Sequence, residues 1–474
     1  MPNDAAVKFE DGDRALVIGV GRSGMATAVV LRDRGLRVTA YDDKPSEQLK
    51  PQRAELAKLH VELVGADGLA SAIPGASVAI VSPGVPPNNP AVLAIQRAGV
   101  SVISEIEAAY RIAKAPIIAI TGSKGKSTTT ALIGHLLRGA GVRARVGGNI
   151  GNPLISEAAA ASADEWLVAE VSSFQLEGIS TFRPRVSMLL NVSPDHLDRY
   201  PSIEEYREAK FRIVANQMAD DVFVGNADDP AIVDLVDGPV KRLHCAQRWF
   251  SLARDPRADM WLDDGWLVEQ PPLKSGALPA RIVALRDLKI RGAHNAANAM
   301  AAYLATSAAL KKTGAEAASA LVEGLRSFEP LAHRLQIVAR SGGVTFVDDS
   351  KASNPDAVAK ALEAFEAPII LIAGGRSKRT DFAAIARPAQ ERCKRVILIG
   401  ESSREIGALI ERVPMEYAAS MDEAVNAAAL AASPGDVVLL SPGCASFDMF
   451  DSAEQRGERF TEAATRIASL AGAS

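Results

Sequence analysis

Short apolar blocks separated by longer amphipathic stretches run along most of the 474 residues. Ala15-Leu16-Val17-Ile18, Val78 to Val81, Ile117 to Ile120, Val344 to Val347, Ile369 to Ala373, Val396 to Ile399 and Val437 to Leu440 show little polar alternation. A half-exposed strand alternates, whereas a strand covered on both faces is apolar throughout, and such strands belong to parallel sheets flanked by helices. Residues between the blocks repeat apolar positions at helical spacing, so the chain reads as α/β with mostly parallel sheets. Leu36 to Ala40 is a further strand, ending at Tyr41-Asp42-Asp43. Met188 to Asn191 is another, and Ser202-Ile203-Glu204-Glu205 has capping-box spacing. A helix through Tyr206, Lys210 and Ile213 follows, with Lys210 one turn from Tyr206 on the same face. Trp249 to Pro279, with Trp261 and Trp266, reads as irregular or antiparallel β structure inserted in the middle of the chain. At about 150 residues per domain the length divides into three, and the expected boundaries are 1–112, 113–329 and 330–474.

Two glycine loops follow predicted strands. Thr121-Gly122-Ser123-Lys124-Gly125-Lys126-Ser127-Thr128 lies between the Ile117 block and a predicted helix from Thr129 to Leu137. Backbone N–H groups and the positive helix end suit phosphate there, with Lys126 reaching the terminal phosphates and Ser127 a Mg²⁺ ion. The loop is shorter than the general Walker pattern, because Ile120 stands where that pattern has glycine. The second loop, Gly19-Val20-Gly21-Arg22-Ser23-Gly24, with Asp42 downstream, fits a dinucleotide, a uridine diphosphate group, or a βα turn without ligand. Glu170 sits at a predicted strand end, and His196 between Asp195 and Asp198 in a polar loop, both suited to hard cations.

Composition narrows the classes. Lys plus Arg number 53 against 57 Asp plus Glu, so no basic excess points to nucleic acid. No apolar run approaches the roughly 18 residues of a membrane span, so no membrane insertion is expected. Met1-Pro2-Asn3-Asp4 lacks the regions of a signal peptide, and Cys245, Cys393 and Cys444 form no CxxC pair. The expected setting is a reducing cytoplasm, without structural zinc.

Taken together, Thr121 to Thr128, Gly147-Gly148-Asn149-Ile150-Gly151, Glu170 to Gln175, Asp195-His196-Leu197-Asp198-Arg199-Tyr200, His294 to Asn298 and Ala332-His333-Arg334 resemble the ordered motifs of the Mur ligases. These are ATP-dependent amide-forming enzymes of peptidoglycan synthesis, and the resemblance covers nearly the whole chain. Asp348 to Pro355, Ser441 to Asp448 and Glu454-Gln455-Arg456-Gly457 look like the member that adds D-glutamate to UDP-N-acetylmuramoyl-L-alanine. The resemblance implies a Rossmann-like first domain, a P-loop ATPase-like middle domain and a Rossmann-like third domain; a monomer is expected. It implies an acyl phosphate formed from ATP, and two Mg²⁺ ions held by Ser127 and Glu170 and by His196 and a carbamylated Lys210. Lys126, Glu170, His196 and Lys210 would be catalytic. Gly122, Ser123, Lys124, Gly125, Lys126, Ser127, Thr128, Asn295, Asn298, Arg334 and Asp349 would bind ATP. Gly21, Arg22, Ser23, Asp42, Asp43, Lys44, Ser82, Gly84, Asn149 and His196 would hold the UDP-linked acceptor, and Lys351, Ser353, Lys378, Ser446 and Phe447 the D-glutamate. Arg376 replaces an acid common in relatives; it would either bind a glutamate carboxylate or lie on the surface. A sister Mur ligase, a folylpolyglutamate synthetase-like ligase and an NAD-linked oxidoreductase are the alternatives.

Overall fold

The computed structural model describes residues 9–195, 199–238, 243–270, 278–310, 315–377 and 381–471. The chain forms two compact units, one of Met1–Asp287 with Ala297–Ser327, the other of Leu288–Ala296 with Phe328–Ser474. Among the described residues the first unit contains two sheets and the second contains one.

The first sheet consists of β1 (Arg14–Ile18), β2 (Arg37–Tyr41), β3 (Glu62–Val64), β4 (Val78–Val81) and β5 (Ser101–Ser104), ordered β3-β2-β1-β4-β5 and parallel throughout. Ala15 to Ile18 are buried, as continuous apolar strands require. The order reverses between β1 and β4, so the loops after these strands open a crevice where ligands settle in such sheets.

The second sheet comprises β6 (Ile117–Thr121), β7 (Ala144–Gly148), β8 (Trp166–Glu170), β9 (Val186–Leu189), β10 (Val222–Asn226), β11 (Ala246–Ser251), β12 (Met260–Asp263), β13 (Trp266–Glu269) and β14 (Ala280–Ala284). Their order is β14-β13-β12-β11-β10-β9-β6-β8-β7. All five residues of β6 are buried, and the strand lies between β8 and β9. Where it is described, the tryptophan-bearing insertion is β structure: β13 runs antiparallel to β12 and β14 and extends the sheet sideways; residues 271–277 of it lie outside the described residues. Trp261 is buried there against Ala258, Val268 and Trp266.

The helix Glu105–Ile112 joins the two layers of this unit through buried acids with opposite fates. Burial alone would raise the Glu107 pKa, but hydrogen bonds from Thr181, Ser180 and Arg111 outweigh it and hold the carboxyl below its usual range. Ser180 N, Thr181 N and Phe182 N all donate to this carboxylate, at 2.8–3.1 Å. Glu105 accepts from Ile155 N at 2.7 Å, and its other oxygen is buried without a partner. Burial pushes its pKa up to about 7. The folded chain therefore binds a proton at Glu105 that the unfolded chain releases, and stability falls as pH rises from about 4.5 to about 7. Glu105→Gln is expected to flatten that part of the pH profile and to stabilise the unit above pH 7 by on the order of 3 kcal/mol. Urea denaturation across this range checks it, and a variant with the wild-type slope would refute it.

In the second unit β15 (Gln336–Ser341), β16 (Val344–Asp348), β17 (Ile369–Gly374), β18 (Cys393–Ile399), β19 (Met415–Ala418) and β20 (Val437–Leu440) are ordered β15-β16-β20-β17-β18-β19. Only β15 is antiparallel among them. Apolar residues fill both faces of this sheet. The cysteines are free, and burial raises the thiols of Cys245 to about 11, Cys393 to about 12 and Cys444 to about 11.

Candidate functional site

The phosphate-type loop owes its shape to two glycines and one asparagine. Gly122 has φ 150° and Gly125 φ 83°, conformations that L side chains rarely adopt. A Cβ on Gly125 would also lie 2.4 Å from Asn298 Oδ1. Asn191, two residues after β9, accepts from Lys124 N at 2.8 Å and donates to Lys124 O at 3.0 Å, while its carbonyl accepts from Ser123 N at 2.9 Å. The helix Lys126–Gly139 starts directly after left-handed Gly125, three residues earlier than its apolar periodicity suggested. No side chain caps it, so its first N–H groups are available to an anion. Ser127 and Thr128 are buried in its first turn.

Two lysines converge on this loop. Lys126 Nζ donates to Gly122 O at 2.8 Å and Ser123 O at 3.0 Å. Lys210 Nζ donates to the same Gly122 carbonyl at 2.8 Å and lies 4.4 Å from the Tyr206 ring centre. Lys210 belongs to the helix Ile203–Phe211, whose Ser202 side chain accepts from Glu205 N at 3.2 Å. It is 2% exposed, against the ordinary expectation for a helix lysine. Burial, and then the charge of Lys126, push its pKa well below the usual lysine value; Asp195 and Glu170 oppose them.

Glu170 ends β8 and is buried. Its Oε1 accepts from Asn149 Nδ2 at 2.8 Å, and its Oε2 is buried without a partner. An orphaned carboxylate oxygen is costly to bury, and it is the hard donor that Mg²⁺ favours. Glu170 and the Ser127 hydroxyl are hard oxygen donors that fit such an ion chemically. No cluster of three or more His, Cys, Asp or Glu suited to a metal occurs among the described residues. His196 lies outside the described residues.

Asn149 also lines a cleft of about 470 Å³ at the carboxyl ends of β1 and β4. Gly21, Arg22, Ser23, Asp42, Asp43, Lys44, Ser82 and Gly84 line the same cleft, so the structure brings together the described residues expected around a UDP group. Tyr41, Pro83, Asn89 and Gln175 line it too and were not anticipated. Gln175 carried a usable signal: with Ser172 it forms a capping box at the helix Ser173–Glu177. Gly24 is a packing necessity, since a Cβ there would sit 1.9 Å from Gly19 O. Gly21 meets nothing within 4 Å and leaves the start of the helix Arg22–Asp33 without a side-chain cap. The acid of the dinucleotide fingerprint is occupied locally. Asp42 Oδ2 accepts from Val20 N at 2.9 Å and Oδ1 from Lys44 N at 3.1 Å, so it braces the glycine loop.

In the second unit, Asp349 follows β16 and is buried. It accepts from Ser441 Oγ at 2.9 Å and Leu335 N at 3.3 Å, and burial pushes its pKa up to about 7. Arg334 acts on it electrostatically, and Asn295 Nδ2 donates to Arg291 O at 2.7 Å. Arg456, 1% exposed, holds two loops together by donating to Ser350 Oγ, Ser350 O and Cys444 O at 2.8–3.1 Å. Ser446 is buried, Ser353 is part-buried and Phe447 is 65% exposed. Lys351 pairs with Glu454 at 2.5 Å. Arg376 grips Glu401 with two hydrogen bonds, of 3.0 and 2.8 Å, and both side chains are about half exposed. Of its two expected roles the structure displays the surface one, with a carboxylate of the same chain already in the fork. Lys378 lies outside the described residues.

Three family models match the chain: "Mur ligase MurD-like, N-terminal domain" over residues 13–104, "Mur ligase middle domain" over 120–306, and "Mur ligase, glutamate ligase domain" over 333–444. The chain is 42% identical over 458 residues to UDP-N-acetylmuramoylalanine--D-glutamate ligase of Pelotomaculum thermopropionicum, covering 95% of this chain and 96% of that one. It is 41% identical over 460 residues to the Geobacter metallireducens protein of the same name, covering 96% and 98%. Among solved structures it resembles the MurF ligase of Thermotoga maritima in complex with ADP, with TM-score 0.60, 17% identity and coverage of 97% and 96%. A pseudomurein peptide ligase type C from Methanothermus fervidus matches with TM-score 0.59, 20% identity and coverage of 95% and 99%. At these identities the structural matches speak for the fold.

Proposed function

Since the chain belongs to the Mur ligase family, we infer that it joins D-glutamate to UDP-N-acetylmuramoyl-L-alanine at the expense of ATP. The alanyl carboxylate attacks the γ-phosphorus, ADP departs, and the amine of D-glutamate displaces phosphate from the resulting acyl phosphate. A carboxylate is a poor electrophile, and its phosphorylation gathers negative charge that fixed cations must offset. The observation that carries the reading is the convergence of Lys126 and Lys210 on the Gly122 carbonyl, at the uncapped start of a helix.

Lys126 holds the terminal phosphates in this reading, and the backbone of Gly122 to Thr128 cradles them. Asn298, Asn295, Arg334 and Asp349 serve the nucleotide, and the cleft with Asn149 takes the acceptor. Ser127 and Glu170 would hold one Mg²⁺, and His196 with Lys210 a second. When bound, these ions add charge neutralisation at the phosphates. A lysine suits such a place only as an anion, and its depressed pKa supports carbamylation, which needs the neutral amine. In this chain Lys351 and Arg376 already hold carboxylates, Glu454 and Glu401. D-glutamate would displace those partners or bind through Ser353, Lys378, Ser446 and Phe447. Residues 1–112, 113–329 and 330–474 would divide acceptor, ATP and amino acid among them, in a cytoplasmic monomer. Among the described residues no helix is long and apolar enough to cross a membrane.

The test supplies purified protein with ATP, the acceptor and each glutamate enantiomer. Phosphate release is expected only with ATP, acceptor and D-glutamate together. Release without acceptor, or equally with L-glutamate, would overturn the assignment.

A further inference from the structure

We propose that Arg199 is a positioning residue that ties together the two walls of the acceptor cleft and so sets its width. This rests on the reading of that cleft as the acceptor site. One wall is the loop after β4, where Pro83 lines the cleft; the other includes Gln175, on the helix Ser173–Glu177 after β8. These walls come from different sheets. Arg199 spans them: Nη1 donates to Pro83 O at 3.1 Å and Nη2 to Glu177 Oε2 at 2.7 Å. Glu177 is the last residue of the helix that carries Gln175.

The guanidinium is held on several sides. It stacks 3.9 Å from the Phe174 ring centre, and Phe174 stacks on Tyr200, with ring centres 5.9 Å apart. Tyr200 OH donates to the other oxygen of Glu177. The Arg199 and Glu177 side chains are 16% and 20% exposed, so water screens the pair far less than it would a surface pair. Arg199 Nε is buried without a partner. The side chain thus accepts a lost hydrogen bond at Nε while its terminal nitrogens hold one residue from each wall, Pro83 and Glu177, as a strut between two walls would. Lysine lacks the planar fork and cannot serve both acceptors while stacking on Phe174.

Arg199→Ala and Arg199→Lys test this through separate Michaelis constants, with acceptor binding followed by calorimetry. Losing a charged hydrogen-bonded tie at one wall is expected to raise KM and Kd for UDP-N-acetylmuramoyl-L-alanine about tenfold in both variants. The KM for ATP and the rate at saturating acceptor should stay near wild type, a split that general loosening of the fold would not produce. Glu177→Gln should shift the acceptor constant in the same direction, and it carries the test alone if the Arg199 variants do not fold. Unchanged acceptor constants, or acceptor and ATP constants rising together, would overturn the role of Arg199. Failure of the wild-type protein itself to bind acceptor would instead overturn the cleft's assignment.

Discussion

Lys126→Met is expected to slow ligation by about a hundredfold to a thousandfold, the usual effect of removing one preorganised donor from a developing negative charge. Methionine keeps most of the length and the apolar stem of lysine and deletes the charge with its N–H donors. The ammonium is poised before any ligand arrives, held by the Gly122 and Ser123 carbonyls at 2.8 and 3.0 Å. Its loss therefore removes stabilisation without altering the loop's backbone, which Asn191 and the two glycines shape. Acceptor binding should be untouched, because Lys126 does not line the acceptor cleft. Folding stability should not fall either. Steady-state phosphate release alongside thermal unfolding measures both. A variant with the wild-type rate would remove Lys126 from the mechanism.

The second large effect concerns Lys210. Lys210→Ala is expected to cost about a hundredfold or more in rate, with partial recovery on adding formate or acetate. Carbamylation joins the neutral amine to CO₂ and releases a proton, leaving a carboxylate on the side chain. Burial and the neighbouring Lys126 favour the neutral amine. A small carboxylate in the cavity left by alanine can take the place of that group. Undiminished activity without any added acid would refute the idea. A loss that no small acid restores would point to the ammonium itself as the active form.

Much of this was legible in the sequence because buried parallel strands leave a local mark. Every residue of Ile117 to Ile120 and of Ile369 to Ala373 is buried, and the continuous apolar run announced it. Strands β15 and β19, at the sheet's edges, contain no buried residue and mix polar with apolar positions, so nothing separated them from loops. The start of the helix at Lys126 was set by left-handed Gly125, a backbone fact that apolar spacing does not carry. The cleft shared by the residues expected around a UDP group was legible because most of them sit in short loops after predicted strands. The interior place of Lys210 was not, since it depends on a carbonyl 88 positions away. The same holds for Lys351 with Glu454 and Arg376 with Glu401, pairs separated by 103 and 25 positions. Isolated cations in a motif look available, and only the fold reveals the acids beside them. The hydrogen bonds of Asp42 were hidden for the opposite reason: its partners, Val20 N and Lys44 N, are backbone groups that any sequence would offer.

The three shielded sulfurs have a practical corollary. Thiolate is the form that alkylating agents and oxidants attack, and with values near 11 and 12 almost none of it exists at neutral pH. Maleimide labelling of the native protein should be slow, storage in air should do little harm, and a library of electrophilic fragments would find no foothold. Inhibitors of this protein are better sought among reversible mimics of phosphate and uridine.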